Sequence, residues 1–187
     1  MKVLLDPGHG GKDCGALNGS LGIKESMMGL AYARALRTPL VRAGHDIRLT
    51  RDEDVSLELA TRCAIANAWH PDLFLSLHCN AAAEPTAHGI EVWTSPGRTP
   101  ADGAASAIYN AIQTEFPERL YRMDKSDGDP DKESRFYVLV HTQAPAVLLE
   151  LGFLSNDMEA EWLDDDDTIF RYARAIAAGI EAWRTSG

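Results

Sequence analysis

Two histidines and two glutamates stand where apolar runs stop. His9 lies in Asp6-Pro7-Gly8-His9-Gly10-Gly11, directly after Val3-Leu4-Leu5, and His78 follows Leu73-Phe74-Leu75-Ser76-Leu77. Glu150 follows Ala146-Val147-Leu148-Leu149, and Glu25 stands at the start of the first helical pattern after the glycine loop. In an open sheet of parallel strands, sites form outside the C-terminal strand ends, so these four side chains are expected at one rim. Imidazole and carboxylate are ligands of a catalytic zinc ion, which takes three protein ligands and keeps one position open for water. One carboxylate is then left over. A glutamate beside that water can accept its proton and return it to a leaving group, the arrangement of metal-assisted amide hydrolysis. A glycine-rich turn after a strand also suits a phosphate, but Gly10-Gly11-Lys12-Asp13 puts an acid where the anion would lie.

The elements that must position these residues alternate along the chain. Strand patterns cover 2–6, 45–50, 73–77 and 89–94, and 136–140 and 146–151 are the last two apolar runs. Helical spacing covers 27–43, with Pro39 expected to bend it and Gly44 to end it, then 57–69 and 100–116. An amphipathic helix closes the chain over 168–183, with the acids of 164–167 near its N-terminus, where the helix dipole favours them. Residues 117–134, rich in charge, Gly and Pro, read as a surface loop without structure. The expectation is an α/β fold with a mainly parallel, mixed, twisted sheet of about six strands and helices on both faces.

Bulk properties narrow the partners. The 187 residues, 45% hydrophobic and 25% charged, suit one globular domain over 1–187. A formal charge of -10 argues against nucleic acid and anionic membranes as partners. Cys14, Cys63 and Cys79 form no Cys-x-x-Cys pair, so neither a disulfide framework nor a thiolate zinc site is indicated. The apolar run at the N-terminus is too short for a signal peptide. Synthesis in the cytoplasm without a signal peptide is therefore expected.

The same motifs, with Gly15-Ala16, Leu49-Thr50-Arg51, Leu59, Arg62, Ala66-Asn67, Ser76 to Ala81, Gly89-Ile90-Glu91-Val92 and Pro145 to Asn156, resemble the zinc-dependent N-acetylmuramoyl-L-alanine amidases of the third amidase type over nearly the whole chain. The resemblance implies His9, Glu25 and His78 as ligands of one zinc ion and Glu150 as the catalytic glutamate. It further implies hydrolysis of the amide between N-acetylmuramic acid and L-alanine, with peptidoglycan as partner. The minimal form looks like a phage or prophage endolysin. It would act as a monomer on the cell wall after release through a holin-type opening or by mother-cell lysis.

Other readings accompany these. Glu25 has a plain alternative as a helix N-terminal acid. Asn80 is expected to fix the turn after His78 or touch substrate, and His141 to border the substrate groove. Asp6 and Asp13 are candidate acceptors for the ligand imidazoles, while Arg51 and Arg62 read as structural salt-bridge partners. Cys79 should point to the core by strand alternation, and the loop after Tyr121 is a candidate groove wall. A non-catalytic wall-binding or regulatory module, and a zinc peptidase cutting within stem peptides, are the alternatives to the amidase.

Overall fold

The computed structural model describes residues 1–126 and 128–186. In chain order the elements are β1 (Lys2–Pro7), the two-residue strands β2 (Leu17–Asn18) and β3 (Ile23–Lys24), α1 (Glu25–Arg42), β4 (Asp46–Leu49), α2 (Leu59–Trp69), β5 (Leu73–Asn80) and β6 (Glu91–Thr94). They continue with α3 (Ala101–Glu115), β7 (Lys132–Glu133), α4 (Tyr137–His141), β8 (Ala146–Phe153), α5 (Asp157–Leu163) and α6 (Asp166–Ser186). The main sheet has the order β4-β1-β5-β8-β6-β7, and β2 and β3 pair separately as a small hairpin. All neighbours in the six-stranded sheet run parallel except β6 and β8, so β6 and β7 oppose the other four strands.

The central strands are covered on both faces, which is why they read as unbroken apolar runs rather than alternating ones. Val3 and Leu5 of β1, Leu75 and Leu77 of β5 and Val147 and Leu149 of β8 pack with α1, α3 and α6. Leu4, Phe74, Ala146 and Leu148 face the other way, toward Cys63, Ala66 and Trp69 of α2 and Val138 and Leu139 of α4. That second cover is short: α2 has 11 residues and α4 has 5. It stops before the C-terminal strand ends, so the side chains beyond it, Asp6, His78 and Glu150, line an open cleft.

Three expectations need correction. The run 136–140 is not a strand but enters α4, while the sixth strand, β7, comes from within the segment expected to be a featureless loop. Two residues of β7 hold because they pair with Trp93 and Thr94 of β6, a tertiary reason invisible to periodicity. The helix expected over 27–43 starts two residues earlier, at Glu25, and runs through Pro39 to Arg42.

Candidate metal centre

The site is built from four strand and helix ends. β1 delivers the His9 loop, whose backbone has unusual geometry: His9 itself has φ 55, followed by Gly10 at 132 and Gly11 at 61. A non-glycine residue in the left-handed region stores strain and persists only where its surroundings hold it. Two buried guanidinium groups do so. Arg51 donates to the carbonyls of Pro7 (3.0 Å), Gly8 (2.7 Å) and Ser26 (2.7 Å). Arg62 donates to Pro7 (2.6 Å) and His9 (2.6 Å) and pairs with Asp6 at 2.8 Å. The structural role expected for both arginines is thus observed, with Arg51 meeting backbone carbonyls rather than a carboxylate.

Asp6 does not serve a ligand imidazole, contrary to expectation. Its carboxylate lies beneath the loop and accepts from Arg62, the Thr50 hydroxyl and the Ser76 hydroxyl. Asp13 fulfils the expectation, accepting from His9 Nδ1 at 2.8 Å and from the Gly15 backbone N–H.

Glu25 is the first residue of α1, yet its carboxylate does more than complement the helix dipole. Oε1 accepts from His78 Nδ1 (2.8 Å) and the Cys79 backbone N–H (3.1 Å), with His9 Nε2 at 3.2 Å, and Oε2 accepts from the Ala16 N–H (2.7 Å). Two glycines make room for this convergence. A Cβ on Gly8 would lie 2.2 Å from His78 Cε1, and one on Gly15 would lie 2.4 Å from Glu25 Oε2 and 2.6 Å from the His9 ring. α1 comes close enough because Gly29 faces the strand ends, where a Cβ would meet the Leu77 carbonyl at 2.8 Å.

One donor atom from each of His9, Glu25 and His78 lies within 4.8 Å of the others. The set fits a zinc ion: two imidazoles and one carboxylate, with Asp13 orienting the first ring through its far nitrogen. In the metal-free chain these groups are tightly coupled. The hydrogen bond to Glu25 pushes the His9 pKa up to about 9, against the opposing effect of burial. Burial alone would raise Glu25, but hydrogen bonds from His78 and His9 outweigh it and hold the carboxyl far below its ordinary range.

Glu150 sits in register with His78 across β5 and β8. Burial pushes its pKa up to about 7, the nearby His78 opposing and Glu25 and Glu91 adding to the rise. Its Oε2 is buried without a hydrogen-bond partner, an arrangement retained only where something else meets that oxygen. His9, His78 and Glu150 line a cleft of about 910 Å³ whose apolar wall includes Leu57, Leu59, Phe136, Tyr137 and Val138, while Glu25 is buried and is not among the lining residues.

Neither Asn80 nor His141 is among the residues that line this cleft. Asn80 caps the turn after His78 by accepting from the Ala81 N–H, and it donates to Glu91. The His141 ring stacks on Tyr137 with centroids 3.9 Å apart. Cys79 is buried toward the core, as alternation required. Sequence reasoning missed Glu91. This buried carboxylate, in register with Glu150, accepts from Asn80, Trp93, Arg122 and Lys132. Only strand register reveals it, and register is not written in one sequence.

The sequence profile described as N-acetylmuramoyl-L-alanine amidase matches residues 3–182. N-acetylmuramoyl-L-alanine amidase CwlM of Bacillus licheniformis is 36% identical over 182 residues, covering 96% of this chain and 67% of that protein. The endolysin of Bacillus phage SPP1 is also 36% identical over 182 residues, covering 95% of this chain and 64% of that protein. The catalytic domain of CwlV, an N-acetylmuramoyl-L-alanine amidase from Bacillus (Paenibacillus) polymyxa var. colistinus, superposes with a TM-score of 0.86 at 30% identity, over 100% of this chain and 99% of that one. With the profile covering nearly its full length, the chain belongs to the N-acetylmuramoyl-L-alanine amidase family.

Proposed function

We propose that this chain hydrolyses the amide between N-acetylmuramic acid and L-alanine in peptidoglycan, with one zinc ion held by His9, Glu25 and His78 and with Glu150 as general base and acid. One observation carries the reading: donor atoms of His9, Glu25 and His78 lie within 4.8 Å of one another at a cleft lined by His9, His78 and Glu150, and Oε2 of Glu150 is buried without a partner. Family membership and the likeness to proteins named amidase and endolysin support the bond and a lytic role at the wall. When bound, zinc supplies a Lewis acid for the scissile carbonyl and brings the pKa of a coordinated water to about 7.

The chain's own residues do the rest. Asp13 holds the His9 ring by its far nitrogen and thereby sets its tautomer and direction. Glu150, poised near neutrality by burial, accepts the proton of the attacking water and hands it to the departing alanine amine. Phe136 and Tyr137, with His141 stacked behind, form the wall that receives substrate, and Asn80 holds the turn that follows His78. The catalytic unit is a single domain over 1–187 that works as a monomer at the cell wall, reached once the membrane barrier is opened. Nucleic acid is not a partner of so acidic a surface. Among the described residues, no helix is long and apolar enough to cross a membrane.

Mass spectrometry of digested peptidoglycan tests this, comparing native protein, chelator-treated protein, zinc-restored protein and Glu150→Ala. The expected products are free stems with an N-terminal L-alanine, lost on chelation, regained with zinc and absent for the variant. A different new terminus would identify a peptidase within the stem, and bound but uncut wall would identify a binding module.

A further inference from the structure

Away from the cleft, the segment leading into β7 buries acid that no counter-charge among the described residues meets. Asp131 is 2% exposed, and its Oδ2 accepts from the Thr94 hydroxyl at 2.7 Å. Its other oxygen, Oδ1, is buried with no partner, and so is Oδ1 of Asp129. The two carboxyl groups are within hydrogen-bonding reach of each other, and the charge of Asp102, in the first turn of α3, also acts on Asp131. Both Asp102 oxygens are engaged by Thr99. Among the described residues, no Lys, Arg or His pairs with Asp129 or Asp131. The adjacent Lys132 turns its ammonium to Glu91, at 3.3 Å.

Two carboxylates this close cannot both stay ionised unless something positive joins them. Burying them unpaired is costly in proportion. The orphaned oxygens name the missing charge: hard, anionic oxygen donors with a hydroxyl alongside select calcium or magnesium rather than zinc. A site set between a loop and the two-residue strand β7 is adaptable, which favours the larger and less demanding ion.

We propose that Asp129 and Asp131, with the Thr94 hydroxyl beside them, form a second divalent-cation site, of calcium type, at the root of β7. The site ties the loop to the end of β6, because Thr94 also pairs with Glu133 across the β6–β7 ladder. Filling it secures β7 and with it Lys132, which together with Arg122 meets Glu91, the register partner of Glu150. In the calcium-free chain the pair must instead share a proton, in keeping with burial pushing Asp131 up to about 7.

The test is calorimetric titration of the full, zinc-loaded chain with calcium chloride and, separately, magnesium chloride, so that the His9 site is already filled. One calcium per chain is expected, with a Kd on the order of 10⁻⁴–10⁻³ M as in extracellular modules, weaker magnesium binding, and a raised Tm. Asp131→Asn and Asp129→Asn should each weaken calcium binding by at least about tenfold while leaving zinc content unchanged. The variant at Asp129, which is less buried than Asp131, decides the matter if the Asp131 variant does not fold. The proposal is overturned if calcium gives neither heat nor a Tm shift, or if the folded variants bind it as tightly as the native chain. It is equally overturned if calcium leaves the titration of the pair near pH 7 unmoved, since a shared proton is then the whole account.

Discussion

Gly8→Ala separates the geometry of the metal centre from the stability of the fold. Gly8 is not among the residues with positive φ, so alanine meets no backbone penalty there and the effect is steric. The new methyl would lie 2.2 Å from Cε1, 2.5 Å from Nε2 and 2.6 Å from Nδ1 of His78, where ordinary contact begins at 3.4 Å. Either the ring retreats by more than an ångström or the loop does. The loop is pinned on both sides, its N–H on the Leu77 carbonyl at 3.0 Å and its carbonyl on Arg51 at 2.7 Å, so the ring must yield. Overpacking of this kind costs about 1–3 kcal/mol, which a domain of this size survives. Misplacing a site group by about 1 Å costs roughly 100-fold in rate, and loss of a ligand weakens zinc at least as much. Gly19→Ala is the control, because a Cβ there meets nothing within 4 Å. Zinc affinity by chelator competition, turnover on purified wall and a denaturant melt would be measured on both. A folded Gly8→Ala protein that keeps native zinc affinity and turnover would refute the steric argument.

Further predictions concern protons, ion pairs and salt. His9, raised from 6.5 to about 9 in the metal-free chain, must lose a proton to bind zinc, so apparent zinc affinity should fall about tenfold per pH unit below 9; calorimetry in buffers of different ionisation enthalpy should count one proton released near pH 7.5. In the chelated protein the raised His9 contributes stability that is complete below pH 6.5 and is lost as pH rises through 9. The depressed Glu25 contributes stability present above pH 4.5 and lost as pH falls, so melting temperature should peak between about 4.5 and 6.5. Arg62→Met strands the buried Asp6 carboxylate and should cost about 3–5 kcal/mol in chemical denaturation, with weaker zinc binding because the His9 carbonyl loses its donor. With a formal charge of -10, the chain gains little from attraction to anionic wall polymers; its activity should change less than about threefold between low and physiological salt, and a sharp loss would show that binding is electrostatic.

Much of this molecule is legible in its sequence because chemistry and apolar patterning coincide. Val3-Leu4-Leu5, Leu73 to Leu77 and Ala146 to Leu149 are too continuously apolar to be anything but doubly covered strands, and each runs into one member of the site. What escaped are features whose cause lies far along the chain. β7 exists through Trp93 and Thr94, α4 is one helical turn inside a run too short for periodicity to decide, and the β2–β3 hairpin is anchored by Asn18 donating to the Leu154 carbonyl and to Asp157. The partner of Asp6 is hidden for the same reason: its nearness to His9 is sequential, whereas Arg62 is brought to it from 56 residues away by α2.

The position of the cleft follows from the unequal covers of the sheet. On the α1, α3 and α6 face the apolar set continues to the strand ends, through Leu77 and Cys79 on β5 and Leu149 and Leu151 on β8. On the other face the same strands change character past the reach of α2 and α4, from Phe74 to Ser76 and His78 and from Leu148 to Glu150. Each polar side chain there needs a partner, because the sheet beneath is dry. Ser76 finds Asp6, Asp6 finds Arg62, and His78 finds Glu25. Glu150 alone keeps a buried oxygen unpartnered, and it stands in register with His78. Of the polar side chains that these strand ends turn toward the cleft, Glu150 is thus the one left with an unsatisfied buried oxygen, which is in keeping with the proton-accepting role proposed for it.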